Sequence, residues 1–509
     1  MDDPGQRAES GWRAKAHLPV MLAVLALFLV VVVDKAWVTD DAYITFRSVQ
    51  NFIEGRGLTW NPDERVQVYT HPLWMLSMSA LHAATREFFY SSLALNVVLT
   101  LATVLLLAFR VAPTWQGAWL GVAVLTVSRA FTDYSTSGLE NALTHFLLVL
   151  LLALNRRAPS RTEPLLLFSL VATLCLLTRL DTLFLISPAW AALVWRAGWA
   201  AIEFYRRKRS ARSAPETGIT ASWAWALGIV LMLCYVIRVG GDFMSGRFLT
   251  APLIVGVGLL VTRSWRPREV LVATIALLAL LLVPWTSPFG ERDYGDEWHA
   301  AIDRYGIADE RAFYQNTGSL RASWGKKEWP DPRFHGEARW LHKSWPYDYF
   351  AAGLLASGEL SPVEGWPPSS RYDEDGRLYR KVFVRGSVGF LGYHLGPRVH
   401  VLDYHAVCDP LLSRLPAERP DPIQARQIPK LASRGWRVGH YYRRPPVGYV
   451  RTLATDRNVI QDEALSRYYD AIRTITRDPV FDGERLKTLW KFWIGAYDDL
   501  LIQSEEGEP

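Results

Sequence analysis

The sequence predicts a polytopic α-helical membrane protein, with about nine transmembrane helices and a C-terminal α/β domain outside the bilayer. Three observations carry this expectation. Before about residue 288 the apolar residues fall in long blocks, several of them near the ~20 residues that a helix needs to cross the hydrocarbon core. Between the blocks, Arg and Lys gather in alternate short loops, which orients the chain. Beyond that point the sequence becomes rich in Trp, Tyr, Arg, Pro and Gly and reads as soluble. The expected division is 1–287 for the membrane module and 288–509 for the extracytoplasmic domain.

The first block, Leu18 to Val33, follows a basic lead of Arg7, Arg13 and Lys15, as a signal peptide would. No small-residue cleavage pattern comes after it, and the run ends in Asp34-Lys35-Ala36-Trp37. It is expected to be a retained first span. The expected spans are 17–37, 90–110, 115–132, 140–156, 163–179, 182–200, 219–240, 249–264 and 268–287. Residues 72–86 are apolar but too short to cross, and are expected to form a helix that lies at the interface or enters partway. With the N-terminus in the cytoplasm, the inner loops hold Arg110, Arg156, Arg157 and Arg161, then the RRKRSAR run at 206–212, then Arg263, Arg266 and Arg268. A full span at 72–86 would turn that run outward, against the positive-inside rule.

In the C-terminal part, Val382–Val384 and Val399–Leu402 flank a Gly-rich stretch and predict a strand–helix–strand unit. A helix near 410–415, a Pro-rich linker near 416–423 and further helices from 424 are expected. Residues 463–500 read as helical with Trp and Tyr on one side, suited to packing on the domain or lying on a membrane surface.

The formal net charge is +6. The basic residues sit in short loops, not on one folded face, which argues against nucleic acid as a partner. Three cysteines, Cys175, Cys234 and Cys408, leave no disulfide framework in the soluble part and no metal-binding spacing.

The predicted outer face collects Asp40 and Asp41, the stretch 133–140, the pair Arg179 and Asp181, and GGDFMSGRF at 240–248. Arg47, Arg129, Arg179, Arg238 and Arg247 lie there too. Cations at outer helix ends need partners, either an anionic ligand such as a lipid phosphate or neighbouring carboxylates. Glycosyl transfer from a polyprenyl-phosphate sugar needs a general base for the acceptor hydroxyl, cations for the departing phosphate and aromatic walls for the sugar. Asp40 or Asp41 fits the base, and Arg179, Arg247 and His71 fit the phosphate. Tyr43, Tyr69, Trp74 and Tyr134 fit the walls. Asp40 alternatively caps the helix Ala42–Ile53. Asp403, His405 and Asp409 could bind an acceptor, though turn chemistry around Asp409-Pro410 is the favoured reading. A flippase or transporter of a lipid-linked sugar is the alternative, but it would place ionisable groups near the bilayer midplane. A structural scaffold would not require the outer arginines.

DDAYITFRSVQNFIEGRGLTWNPDERVQVYTHPLW resembles the first outer loop of the GT-C membrane glycosyltransferases: paired acids, an aromatic, an Arg, a Gly-rich turn and an aromatic-Thr-x-Pro-Leu-Trp run. Tyr134-Ser-Thr-Ser-Gly-Leu-Glu140, Thr178-Arg-Leu-Asp181 and Gly240 to Phe248 are similar to further family motifs, although the family more often has Arg-Pro-Asp where this chain has Arg-Leu-Asp. The run GSVGFLGYHLGPRVHVLDYHAVCDPLLSRLP resembles the outer domain of the terminal arabinofuranosyltransferase branch. The resemblance implies a multi-pass enzyme of the bacterial plasma membrane and a decaprenyl-phosphoryl-arabinofuranose donor. It further implies inverting transfer to a polysaccharide or glycoprotein acceptor, with Asp41 as base beside Asp40. Arg47, Tyr69, His71, Trp74, Tyr134, Glu140, Arg179, Asp181, Asp242 and Arg247 are the expected substrate-binding residues. Another sugar, such as mannose, stays open, as does an oxygen-only Mg or Mn site on Asp40, Asp41, Glu140 and Asp242.

Overall fold

The computed structural model describes residues 17–157, 162–206, 218–284, 287–324 except 291, 295–297 and 304, 380–417 except 387, and 443–501, with 326, 336, 338, 339 and 440 besides. The expected linker at 416–423 lies almost wholly outside these residues, as do the helices expected between 424 and 439. By its contacts the chain forms two compact units: residues 1–39, 70–77 and 87–329, and residues 40–69, 78–86 and 330–509.

In chain order the helices up to residue 323 are α1 (His17–Asp34), α2 (Asp40–Ile53), α3 (Pro72–Thr85), α4 (Phe89–Leu106), α5 (Trp115–Val127), α6 (Arg129–Tyr134), α7 (Asn141–Arg157), α8 (Thr162–Thr178), α9 (Thr182–Arg206), α10 (Gly218–Arg238), α11 (Thr250–Val261), α12 (Pro267–Leu281), α13 (Glu310–Gly318) and α14 (Leu320–Ser323). Then follow β1 (Lys381–Val384), α15 (Gly389–Leu395), β2 (Val399–Leu402), α16 (Tyr449–Thr455), α17 (Glu463–Arg477) and α18 (Gly483–Trp493).

The first unit is helical. Its core draws Phe28 and Val32 from α1, Leu148 and Leu152 from α7, Leu185 from α9, Met232 from α10 and Ile254 from α11. Helices α1, α8, α9, α10 and α12 also carry exposed apolar residues, among them Val30, Leu170, Trp195, Ile237 and Leu271, and α12 buries no residue at all. Soluble chains rarely leave so much apolar surface uncovered. Among the described residues one run, Phe89–Val111, is long and apolar enough to cross a membrane, 23 residues with α4 continuing into a π-helical turn. Other expected spans form shorter apolar helices: Leu18–Asp34, Trp115–Val127, Asn141–Asn155, Leu165–Thr178, Ser222–Arg238 and Thr250–Val261. Nine full spans are therefore not confirmed. The expected span 115–132 is divided at Ser128, whose side chain accepts from the Phe131 N–H and so starts α6 as a separate helix.

In the second unit β1 and β2 pair in parallel, with Lys381 opposite Val399 and Val384 opposite Leu402. The crossover is α15, ended by Gly396 at φ +69°. This is the strand–helix–strand unit that the Val runs predict. The helix expected near 410–415 is instead a 3-10 turn, Leu412–Arg414. Besides further helical residues at 498–500, the stretch 463–500 holds α17 and α18. Asp462 and Asp482 cap their N-termini, and Asp478-Pro479 interrupts them because proline offers no N–H. Leu465, Tyr468, Tyr469 and Ile472 of α17 pack with Val382, Val384 and Leu402.

Candidate functional site

In the first unit one carboxylate, Glu140, stands among two guanidiniums and an imidazole. Glu140 follows a loop held from several sides: Trp74 Nε1 donates to the Gly138 carbonyl at 3.1 Å, the Thr39 N–H to Ser137 at 3.0 Å, and the Thr100 hydroxyl to Ser135 at 3.1 Å. Arg247 Nη2 donates to both Glu140 oxygens, at 3.1 and 3.2 Å. His71 Nδ1 lies 3.5 Å and Arg179 Nη1 3.7 Å from the same carboxylate. Burial holds the His71 imidazole below its usual pKa, opposed by Glu140. Asp181 takes Arg179 through Nε at 3.0 Å and through Nη2, while the buried Nη1 makes no hydrogen bond.

The GGDFMSGRF loop positions Arg247. Its glycines 240, 241 and 246 have positive φ, and Asp242 accepts from the N–H groups of Met244 at 2.9 Å and Phe248 at 2.7 Å. Asn141 accepts from Arg247 Nε at 3.3 Å. The Phe248 ring lies under both guanidiniums, 5.1 Å from that of Arg179 and 5.7 Å from that of Arg247. Asn141 and Phe248 were not among the expected site residues, although both adjoin residues that were. Tyr134 is buried edge-on to Trp37 at 6.1 Å. Arg129 is bound by Asp309 at 2.9 Å and Asp133 at 3.3 Å. Carboxylates thus partner Arg129, Arg179 and Arg247, as the second of the two expectations for outer arginines had it.

In the second unit the paired acids have different surroundings. The expected capping of its own helix by Asp40 is corrected: its carboxylate caps α15, Oδ2 accepting from the Gly389 N–H at 2.9 Å and Oδ1 from the Phe390 N–H at 2.7 Å. Such close approach is open to Gly389 because a Cβ there would collide with the Asp40 backbone carbonyl. Burial pushes Asp40 up to about 6, with Asp41 adding to the rise and the two N–H groups opposing it. Asp41 is half-buried. Asp403, at the end of β2, also rises to about 6 through burial, against its hydrogen bonds from His405 and Val407 and with a contribution from Asp41. Asp403 and Asp409 both hold turns. Asp409 accepts from Leu411 N–H at 2.9 Å and from the Tyr449 hydroxyl at 2.8 Å.

Arg47, expected to bind substrate, is buried. Its donors go to the carbonyls of Trp60 at 2.9 Å, Val399 at 3.0 Å and Gly392, and its guanidinium lies 4.6 Å from the Trp60 ring. Tyr43 packs on Phe390 at 4.6 Å. Tyr69 lines a cleft of about 470 Å³ with Arg56, Asp63, Arg65 and Arg477.

Three of the carboxylates considered for a divalent cation have protein partners. Asp40 and Asp242 are taken up as acceptors of backbone N–H groups, and Glu140 is an ion-pair partner. Among the described residues no group of three or more His, Cys, Asp or Glu could hold a metal ion.

No family model matches the chain, and no solved structure matches it. Two curated proteins match a part of it. One, from Mycobacterium tuberculosis, is 31% identical over 121 residues, 22% of this chain and 19% of that protein. The other, from Corynebacterium glutamicum, is 29% identical over 116 residues, 21% of this chain and 16% of that protein. The matched stretch thus spans less than a fifth of each relative, and each relative is named a terminal beta-(1->2)-arabinofuranosyltransferase.

Proposed function

We propose that the chain is a membrane glycosyltransferase that moves a sugar, D-arabinofuranose, from a polyprenyl-phosphate donor to a cell-envelope glycan or glycoprotein. The observation that carries this reading is the partial match to two proteins, each named a terminal beta-(1->2)-arabinofuranosyltransferase. Asp40 spends both carboxylate oxygens on backbone N–H groups, whereas Asp41 is partly exposed in an acidic neighbourhood of Asp40 and Asp403. A partly exposed carboxylate can take a proton from an acceptor hydroxyl. The partial matches to two arabinofuranosyltransferases support the sugar assignment.

In this reading Asp41 accepts the acceptor's proton as the new carbon–oxygen bond forms. The bond between the anomeric carbon and the phosphate oxygen breaks, and its electron pair leaves with the lipid phosphate. Arg179 and Arg247, which Asp181, Glu140 and Phe248 hold within the first unit, are the cations that this reading assigns to a lipid phosphate. The exposed apolar faces of α8, α10 and α12 meet lipid.

The test uses purified full-length protein in nanodiscs with synthetic polyprenyl-phosphate sugars, arabinofuranose and mannose among them, and an oligosaccharide acceptor. Transfer from the arabinofuranose donor alone supports the reading; absence of transfer from every donor overturns it. The anomeric configuration of the product distinguishes a single displacement, which inverts, from a double one.

A further inference from the structure

We propose that α18 lays an exposed apolar stripe on a lipid surface bearing anionic headgroups. Leu486, Trp490 and Trp493 recur at helical spacing and fall within an arc of roughly 60°. All three are exposed, Trp493 at 77%, and Phe481 in the turn before the helix is 90% exposed. The rings of Trp490 and Trp493 lie 4.9 Å apart. On the other side of α18, Thr488 is buried and Phe492 packs against the core that includes Tyr468 and Ile472. The helix is therefore fixed to its domain by one face and presents the other.

The chemistry of the stripe selects the occupant. Indole rings favour the boundary between headgroups and acyl chains, where one edge is apolar and the other wet. Lys487 and Lys491 follow on one edge of the stripe, and α18 carries three basic residues against the single acid Glu484. An apolar face with Trp and Leu beside a basic flank is the pattern of a helix lying in the plane of a membrane. Apolar helices in the same chain would keep this surface near a bilayer, so a weak contact would be populated without any further partner.

The contact is read without any assay of transfer, so its failure is separable from failure of the proposed activity. Cys234 is the exposed cysteine and is replaced by serine, while Cys175 and Cys408 are buried. Trp493→Cys, and separately Leu486→Cys, is labelled with an environment-sensitive dye in full-length protein in phosphatidylglycerol–phosphatidylcholine nanodiscs. Arg467→Cys, on the exposed side of α17, is the reference. Labels on α18 should be quenched by nitroxide-bearing lipid and be about threefold or more less quenched by aqueous iodide than the reference. Lys487→Glu with Lys491→Glu should remove the preference for discs that contain phosphatidylglycerol.

Iodide quenching equal to the reference, without nitroxide quenching, overturns the proposal. Protection from both quenchers overturns it too, because a second copy or another protein then covers the stripe. Equal nitroxide quenching in neutral and anionic discs overturns the headgroup assignment. Two labelling positions keep the test open if one variant does not fold, as judged by size-exclusion chromatography.

Discussion

Asp40 closes the N-terminus of the helix that begins at Gly389, its two carboxylate oxygens meeting the Gly389 and Phe390 N–H groups at 2.9 and 2.7 Å across 349 and 350 residues of sequence. A carboxylate in this position offsets the helix dipole and satisfies two N–H groups that have no partner within the helix. The neighbouring Asp41 is half-buried where Asp40 is buried, and the two acids should answer substitution differently.

Asp40→Ala should lower stability by about 1–3 kcal/mol, because two buried donors lose their acceptor. Asp41→Asn should cost less stability than Asp40→Ala and lower turnover by ~10²–10⁴, the usual worth of a general base. Thermal unfolding and initial-rate measurements on both variants check this. An Asp41→Asn enzyme with full turnover would remove Asp41 from the mechanism.

The same acids set a pH dependence. Asp40 and Asp403 are raised by burial from 3.8 to about 6. The folded chain therefore holds their protons more tightly than the unfolded chain does. The stability they contribute is complete below about pH 4 and is lost as the pH rises through about 6, up to ~3 kcal/mol for each group. Asp63 shifts the other way, held down by His400, Arg380 and Arg477 against burial, but its contribution is already complete above pH 5 and stays constant. The thermal midpoint of this unit should thus be higher at pH 5 than at pH 8. Asp40→Asn should shrink the difference, as a melting series in matched buffers would record.

The glycines of α15 set how closely α2 can approach. At Gly392 a Cβ would lie 2.8 Å from the Trp60 ring, whose carbonyl and face both hold Arg47. Gly392→Ala must push the ring or the helix aside. It should cost about 1–3 kcal/mol as an overpacked site and loosen Arg47. Gly389→Ala should be worse, because the atom it meets is backbone. Limited proteolysis of the second unit, with cleavage faster in both variants and fastest in Gly389→Ala, is the check.

These relationships also mark what the sequence could reveal. The β1–α15–β2 unit is legible because branched residues at 382–384 and 399–402 alternate with a Gly-rich helix, all of it local pattern. The short helix at 72–85 is legible from its length alone. That residues 40–69 fold with the C-terminal segment is not legible, because nothing near Asp40 encodes an N–H group 349 residues away. Arg47 illustrates the same limit. An arginine beside paired acids reads as a ligand for phosphate, and only the fold reveals the carbonyls of Gly392 and Val399 that take its donors. For Arg179, by contrast, the partner is two residues away, and the motif predicts the pair.

Glu140 offers the sharpest separation of structure from function. Its carboxylate faces Arg247 at 3.1 Å, Arg179 at 3.7 Å and His71 at 3.5 Å, all with little exposure. Glu140→Gln takes this counter-charge from Arg247, leaves Arg179 with that of Asp181, and should destabilise by about 3–5 kcal/mol, as breaking a buried pair from one side does. Removing Arg247 as well, in Glu140→Gln with Arg247→Met, should recover most of that loss, because a buried pair replaced whole by neutral groups is often tolerated. If Arg247 serves only to satisfy Glu140, the double variant should bind a polyprenyl-phosphate sugar as the parent does. If Arg247 holds the phosphate, donor binding should stay weakened by about tenfold or more while the melting temperature returns. Fluorescence titration with a labelled donor, run beside the melts, reads the two quantities on the same sample.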